Sequence, residues 1–167
     1  MGGKKGEPPK DWGKVFEELD AATRKQAEVV HRKSVFQILR QVIFYCPVDT
    51  GRLRASWTPI MDKYGAQAIY EPVMQMRAPG QTGKDEKKVS SRAIARGKSE
   101  GLFVDQPFVT IIGTNVDYAV YVEQKVGFLA RARVIGESLY ARNFAAFFES
   151  IDKAKGAVPP QKYEGQP

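Results

Sequence analysis

The sequence predicts an α+β fold, with a long N-terminal helix and a C-terminal helix packed on a small antiparallel β-sheet. Three observations predict it. From about Asp11 to Cys46, apolar residues such as Val15, Leu19, Ala22, Leu39 and Val42 recur every three to four positions, while Arg24, Lys25, Arg32, Lys33 and Arg40 fall mainly on the other side. The same spacing returns in Leu139, Phe144, Phe147, Phe148 and Ile151. Between the two, Phe108-Val109-Thr110-Ile111-Ile112 is β-branched and aromatic and is bounded by Pro107 and Gly113, which marks a strand.

At 167 residues the chain suits one domain, large enough to bury a core without a disulfide or metal. Residues 1–10, with two glycines after Met1 and the pair Pro8-Pro9, read as a flexible arm rather than a secretion signal, because they lack an apolar stretch. Residues 11–156 form the α+β domain, with a basic insertion at about 79–101, and residues 157–167 read as a flexible tail. The net charge of +7 is concentrated in the arm, the insertion and the tail. The insertion holds Lys84, Lys87, Lys88, Arg92, Arg96 and Lys98 against Asp85, Glu86 and Glu100. A near-neutral body with basic extensions suits contact with something acidic, or simple solubility. No apolar run approaches the ~18 residues of a membrane span. One histidine and one cysteine leave no metal cluster of the usual kinds, and no cofactor is expected.

In chain order, Asp11 is placed to cap the first helix, which at 1.5 Å per residue would reach on the order of 50 Å, so that it either bends or projects in part beyond its own core. Pro47 stops it by pushing Cys46 out of helical geometry. Pro47-Val48-Asp49-Thr50-Gly51 is a turn, with Asp49 placed to cap a short helical turn over Arg52-Leu53-Arg54. Ser56–Met61 reads as a strand interrupted by Pro59, and Gln67–Tyr70 as a second short strand. Pro79–Lys88 is a loop, and Val89–Lys98 one or two helical turns. Gly113-Thr114-Asn115 has turn chemistry. Asp117 is a fair N-cap for a helix whose face carries Tyr118, Tyr121 and Val122, although the valines there keep a strand open. Gly127 breaks that segment, Arg131–Ile135 reads as a last strand or extended loop, and Gly136 precedes the second long helix, which runs to about Lys155.

Several chemical motifs are incomplete. Gly97-Lys98-Ser99-Glu100-Gly101 spells the nucleophile elbow of serine hydrolases, but the only histidine, His31, lies upstream, and no strand is expected to enter the turn. The glycine that a phosphate-binding loop needs five residues before Gly97 is Arg92. His31, beside Arg32 and Lys33, reads as solvated or partner-facing. Cys46 reads as a small packing residue. Arg52 and Arg54 near Trp57 form at most a weak nucleic-acid patch and suit a salt-bridged surface turn better. No complete catalytic set emerges.

Two stretches resemble a known family. Cys46-Pro47-Val48-Asp49-Thr50-Gly51-Arg52-Leu53-Arg54-Ala55-Ser56-Trp57, following a long N-terminal helix, is similar to the signature P-V-D-T-G-x-L-R-x-S-[WF] of the neck and tail-completion proteins of long-tailed bacteriophages. Further on, Ile112-Gly113-Thr114-Asn115-Val116-Asp117-Tyr118-Ala119-Val120-Tyr121-Val122-Glu123 resembles that family's second signature, I-x-T-N-x-x-Y-A-x-Y-[VL]-E. Order and approximate spacing agree over about residues 12–150. After Glu123 the chain departs from the family, with Gln124-Lys125-Val126-Gly127 in place of an aromatic and a glycine and a reduced proline content before the last helix.

The resemblance implies a virion protein of the neck, present in the host cytoplasm before assembly, that forms a homo-oligomeric ring joining the head connector to the tail. Its partners would be copies of itself, portal or connector (adaptor) proteins, and tail terminator or tail tube proteins, with no membrane. It further implies structural or inter-subunit roles for Asp49, Thr50, Gly51, Arg52, Leu53, Trp57, Asn115, Tyr118, Tyr121 and Glu123. The six cations of the insertion would make any contact with the packaged DNA, through phosphates and without reading sequence. The alternative reading is a small basic module that binds DNA independently of sequence.

Overall fold

The carboxylate of Asp20 opens the first helix, accepting from the backbone N–H groups of Ala22 and Thr23 at 3.0 and 2.9 Å. The computed structural model describes residues 20–81 and 89–156, so the expected cap at Asp11 lies outside the described residues. Helix α1, Ala21–Tyr45, is 25 residues long and ends as foreseen before Pro47. At 1.5 Å per residue its described length is roughly 37 Å, short of the 50 Å expected.

The segment read as two strands is instead helical. Ser56 and Trp57 turn out of α2 (Arg52–Ala55) into α3 (Pro59–Lys63), where Pro59 occupies the first helical turn. A proline there gives up an N–H that would have no helical partner anyway, so it starts this helix instead of interrupting a strand. Gln67–Tyr70 is the first half of α4, Gln67–Met74, because Tyr70, Val73 and Met74 fall on one buried face at helical spacing.

Helix α5, Ser91–Glu100, runs directly into β1, Gly101–Gln106, which pairs antiparallel with β2, Val109–Thr114, in the register Phe103–Ile112 and Asp105–Thr110. The sheet has only these two strands among the described residues. Phe108 lies in the two-residue turn rather than in the strand, with φ at 60°. Its ring reaches inward and packs with Val30, Tyr140 and Phe148 against Ala27, Phe144 and Phe147. Gly113 and Thr114, expected as a turn, complete β2.

Helix wins over strand in α6, Ala119–Val126, which ends at Gly127 with φ at 63°. The expected strand or loop at Arg131–Ile135 does not form. Helix α7 runs unbroken from Phe128 to Gly156 over 29 residues. Gly136 sits inside it because Ile38 of α1 lies across that turn; a Cβ there would stand 2.9 Å from Ile38 Cγ1. The glycine lets α1 and α7 cross closely, and their pairing is the main helical contact of the fold. The larger core gathers Leu39, Ile43, Leu53, Trp57, Ile60, Met61 and Phe128 beneath the short helices.

His31 is buried, not solvated. Its Nδ1 lies 3.0 Å from the Tyr140 hydroxyl of α7 and its Nε2 3.1 Å from Thr110 Oγ1 of β2. Thr110 gives its own proton to Asp105 at 3.3 Å, so Nε2 donates to Thr110 and Nδ1 accepts from Tyr140. Asp105 also accepts from the Tyr64 hydroxyl. This chain ties the hairpin to both long helices with a neutral imidazole. Burial lowers the His31 pKa, partly offset by Asp105 and Glu28, while Arg32 adds to the lowering. The unfolded chain therefore takes up this proton first, and the stabilisation is complete above the ordinary histidine value of ~6.5 and is lost as pH falls below it. The melting temperature is expected to drop between pH 7.5 and 5.5, and to drop less in His31→Gln. The carboxyls of Glu100 and Glu149, lowered by Arg52 and Lys153, titrate beneath that window. Parallel pH profiles for the two proteins would contradict the assignment.

Candidate functional site

Gly51 makes the first turn of the site possible. Its φ of 85° is one that side-chain-bearing residues rarely adopt, and a Cβ would stand 2.7 Å from Val89 Cγ1. Gly51 itself, not Asp49, is the N-cap of α2, and no side chain caps this helix; the nearest candidate, Thr50 Oγ1, is a weak acceptor for Arg52 N at 3.4 Å. The Thr50 carbonyl also accepts from Ser90 N at 3.1 Å, which fastens the start of α5 to the turn. Asp49 is exposed and borders two clefts, one with Arg92 and Tyr118 and the other with Tyr121 and Lys125.

Arg52 and Arg54, two residues apart on a helix, point in opposite directions. Arg52 is the hub. Its Nε donates to Glu100 Oε2 at 2.7 Å and its Nη2 to Glu100 Oε1 at 2.5 Å, a two-pronged pair shielded from solvent. Nη1 lies 3.3 Å from Asp117 Oδ1, and the guanidinium stands 5.5 Å from the centre of the Tyr118 ring. The hydrogen bonds to Glu100 raise the Arg52 pKa and lower that of Glu100. Burial raises that of the Tyr118 phenol, against the opposing pull of Arg52. The Glu100 carbonyl accepts from Asn115 N at 2.8 Å. The turn at 49–52, the end of α5 and the segment 115–118 thus meet at one point.

Arg54 turns inward and is wholly buried. Its Nε donates to the Cys46 carbonyl at 2.7 Å, Nη1 to the carbonyls of Val73, Met74 and Met76 at 2.7, 3.0 and 2.6 Å, and Nη2 to that of Phe44 at 3.4 Å. These carbonyls close the C-terminal ends of α1 and α4, where helical geometry leaves acceptors without donors. Burial pulls its pKa down to about 10, which leaves it charged at neutral pH. The expectation of a surface ion pair fails for Arg54 and holds for Arg52. The structure places Arg54 as the one charge in the buried run Leu53-Arg54-Ala55-Ser56-Trp57.

The remaining site residues divide by role. Leu53 and Trp57 are core, with the Trp57 ring edge-on to Phe128 at 6.1 Å. Glu123 caps α7, its carboxylate accepting from Leu129 N at 2.8 Å and Ala130 N at 3.2 Å, the arrangement a helix N-terminus favours. Tyr121 is 63% exposed beside Lys125. Lys84, Lys87 and Lys88 lie outside the described residues. Lys98 is held between Asp62, at 2.8 Å, and the Tyr70 hydroxyl, at 3.2 Å. Arg96 leans on Glu100 at 3.1 Å, and Arg92 is exposed. Glu100 and His31 carry structural roles that periodicity could not assign, because each acts across elements distant in the chain, whereas Glu123 acts locally on the start of the next helix.

Two apolar surfaces remain open. On the outer face of the hairpin, Leu102, Val104, Val109 and Ile111 are 48–62% exposed. Between α1 and α7 lies a groove of about 540 Å³, lined by Ile38, Val42, Leu129, Gly136, Tyr140 and Ala141. Among the described residues, no helix is long and apolar enough to cross a membrane. No protein-family model matches the chain, and no curated protein or solved structure shows significant similarity to it.

Proposed function

We propose that this chain is a structural subunit of a bacteriophage neck, assembling with copies of itself into a ring that joins the head connector to the tail and carrying out no catalysis. The observation that carries the reading is the convergence of the two segments that resemble the neck-protein signatures. Arg52 of the first reaches Asp117 and Tyr118 of the second, and Glu100 binds both the Arg52 side chain and the Asn115 N–H. Segments far apart in the chain that are joined to each other and to the same residue, Glu100, form a single structural unit, as signatures of one fold should. The open apolar faces on the hairpin and between the long helices support a protein that is completed by neighbours.

The ring would sit in the virion neck between portal or adaptor proteins and the tail terminator or tube, after assembly from subunits in the host cytoplasm. Genomic DNA passing through it would meet scattered cations such as Arg92, a surface suited to passage rather than to tight binding. Native mass spectrometry with negative-stain imaging is expected to reveal closed rings of several copies, either alone or on addition of connector or tail-tube protein. A single-copy species under all of these conditions would overturn the reading. The rival reading, a DNA-binding module, would instead show duplex affinity that falls steeply with salt. Of the expected patch, Lys98 and Arg96 pair with carboxylates and Arg92 is exposed, while Lys84, Lys87 and Lys88 lie outside the described residues.

A further inference from the structure

A cyclic assembly needs two unlike surfaces on each copy that fit one another head-to-tail. The hairpin strip and the α1/α7 groove meet that description. The strip of Leu102, Val104, Val109 and Ile111 is exposed and aliphatic, on a pair of strands too small to bury both of its faces. The groove is concave, apolar and about 540 Å³, a size that takes a drug-sized ligand or a few side chains. We propose that the hairpin strip of one copy seats in the α1/α7 groove of the next, a contact that deepens the ring reading and rests on it.

Charge favours a second copy over a nucleic acid as the occupant. The chain carries +7, so identical copies repel wherever their cations face one another. The strip carries no charge, and the two charged residues on the groove, Arg133 and Glu137, neutralise each other at 2.7 Å. These are surfaces where two basic copies can meet without opposing like charges, whereas a nucleic acid would need cations on them. Area favours the unlike pairing over strip against strip. Four aliphatic side chains fall short of the ~800 Å² per partner of a stable pairwise complex. A strip entering a groove buries surface on all its sides, and each copy in a ring makes the contact twice.

Cysteine exchange between two single variants tests the contact. Ile111→Cys and Ala141→Cys proteins are mixed in equal amounts and oxidised. The native Cys46 is buried and its thiol is pushed up to about 12, so it stays out of the exchange. The expected product is a disulfide joining positions 111 and 141 of the two different variants, mapped by peptide mass. Ile111 is 62% exposed, so Ile111→Lys should keep the wild-type circular dichroism while raising the concentration for half-assembly about tenfold or more. Dominant 111–111 disulfides, absence of the 111–141 product, or assembly indifferent to Ile111→Lys would each overturn the groove contact while leaving a wild-type ring intact. A wild-type protein that stays monomeric in native mass spectrometry would overturn the ring reading itself, and this contact with it.

Discussion

Replacing Arg54 by Met is expected to cost about 3–5 kcal/mol, a large share of the ~5–15 kcal/mol that holds an ordinary domain folded. The side chain is fully buried, and its donors go to carbonyls of Phe44, Cys46, Val73, Met74 and Met76. Met preserves length and apolar volume, so the loss isolates hydrogen bonding from packing. Each buried acceptor left without a donor costs about 1–3 kcal/mol, and water entering the gap recovers part of the sum. Arg54→Lys should recover only a fraction, because a single ammonium cannot span two helix ends as a planar fork does. The exposed Arg92 provides the contrast, and Arg92→Met should stay within about 0.5 kcal/mol of wild type. Urea denaturation measures all three, and a loss below about 1 kcal/mol for Arg54→Met would contradict the capping role.

The elements legible in the sequence were those whose periodicity is long or whose boundaries are chemical. Pro47 marked the end of α1, the residues from Leu139 to Ile151 gave the body of α7, and Val109–Ile112 gave the centre of β2. The errors concentrate where a local signal has more than one cause. Ser56–Tyr70 holds Trp57, Thr58, Ile60, Ile69 and Tyr70, residues at home in strands, yet tertiary burial of Ile60, Met61, Tyr70 and Val73 made the segment two short helices. Gly136 resembled a helix boundary because glycine usually is one, and only the position of Ile38 on the crossing helix shows why it lies within α7. The turn at Gly51 is legible in the sequence, whereas residue type alone points its cap to Asp49 and the structure gives it to Gly51. Arg52 and Arg54 are the same residue two positions apart, and no one-dimensional pattern says that one meets a carboxylate and the other the ends of two helices.

Gly97→Ala decides between two principles that give opposite signs. Gly97 lies inside α5, where alanine is favoured over glycine by about 1 kcal/mol, so helix propensity alone predicts stabilisation. The packing predicts the reverse. A Cβ at Gly97 would stand 2.0 Å from the Arg52 carbonyl oxygen and 3.0 Å from Ala55 Cβ, and the obstacle is backbone that cannot swing aside. Relief requires α5 to withdraw from α2 by about 1 Å, which pulls Glu100 away from Arg52 and opens the junction where the two signature segments meet. Overpacking of this kind costs about 1–3 kcal/mol, and the lost ion pair adds to it. The variant is therefore expected to be less stable than wild type despite its better helix former. Gly113→Ala is the control, since a Cβ there meets nothing within 4 Å and β2 loses no contact. A Gly97→Ala protein as stable as wild type in thermal melts would mean that the close approach of α5 to α2 is not what holds Arg52, and the glycines at 97 and 101 would need another explanation. The expected result gives one explanation for both. A Cβ at Gly101 would stand 2.2 Å from the Ser56 carbonyl oxygen, as one at Gly97 would crowd that of Arg52. The Ser99 hydroxyl between them donates to the Arg96 carbonyl at 2.7 Å. The apparent nucleophile elbow is then two glycines admitting α5 and the start of β1 against α2 and the turn that follows it, with a serine turned back on its own backbone.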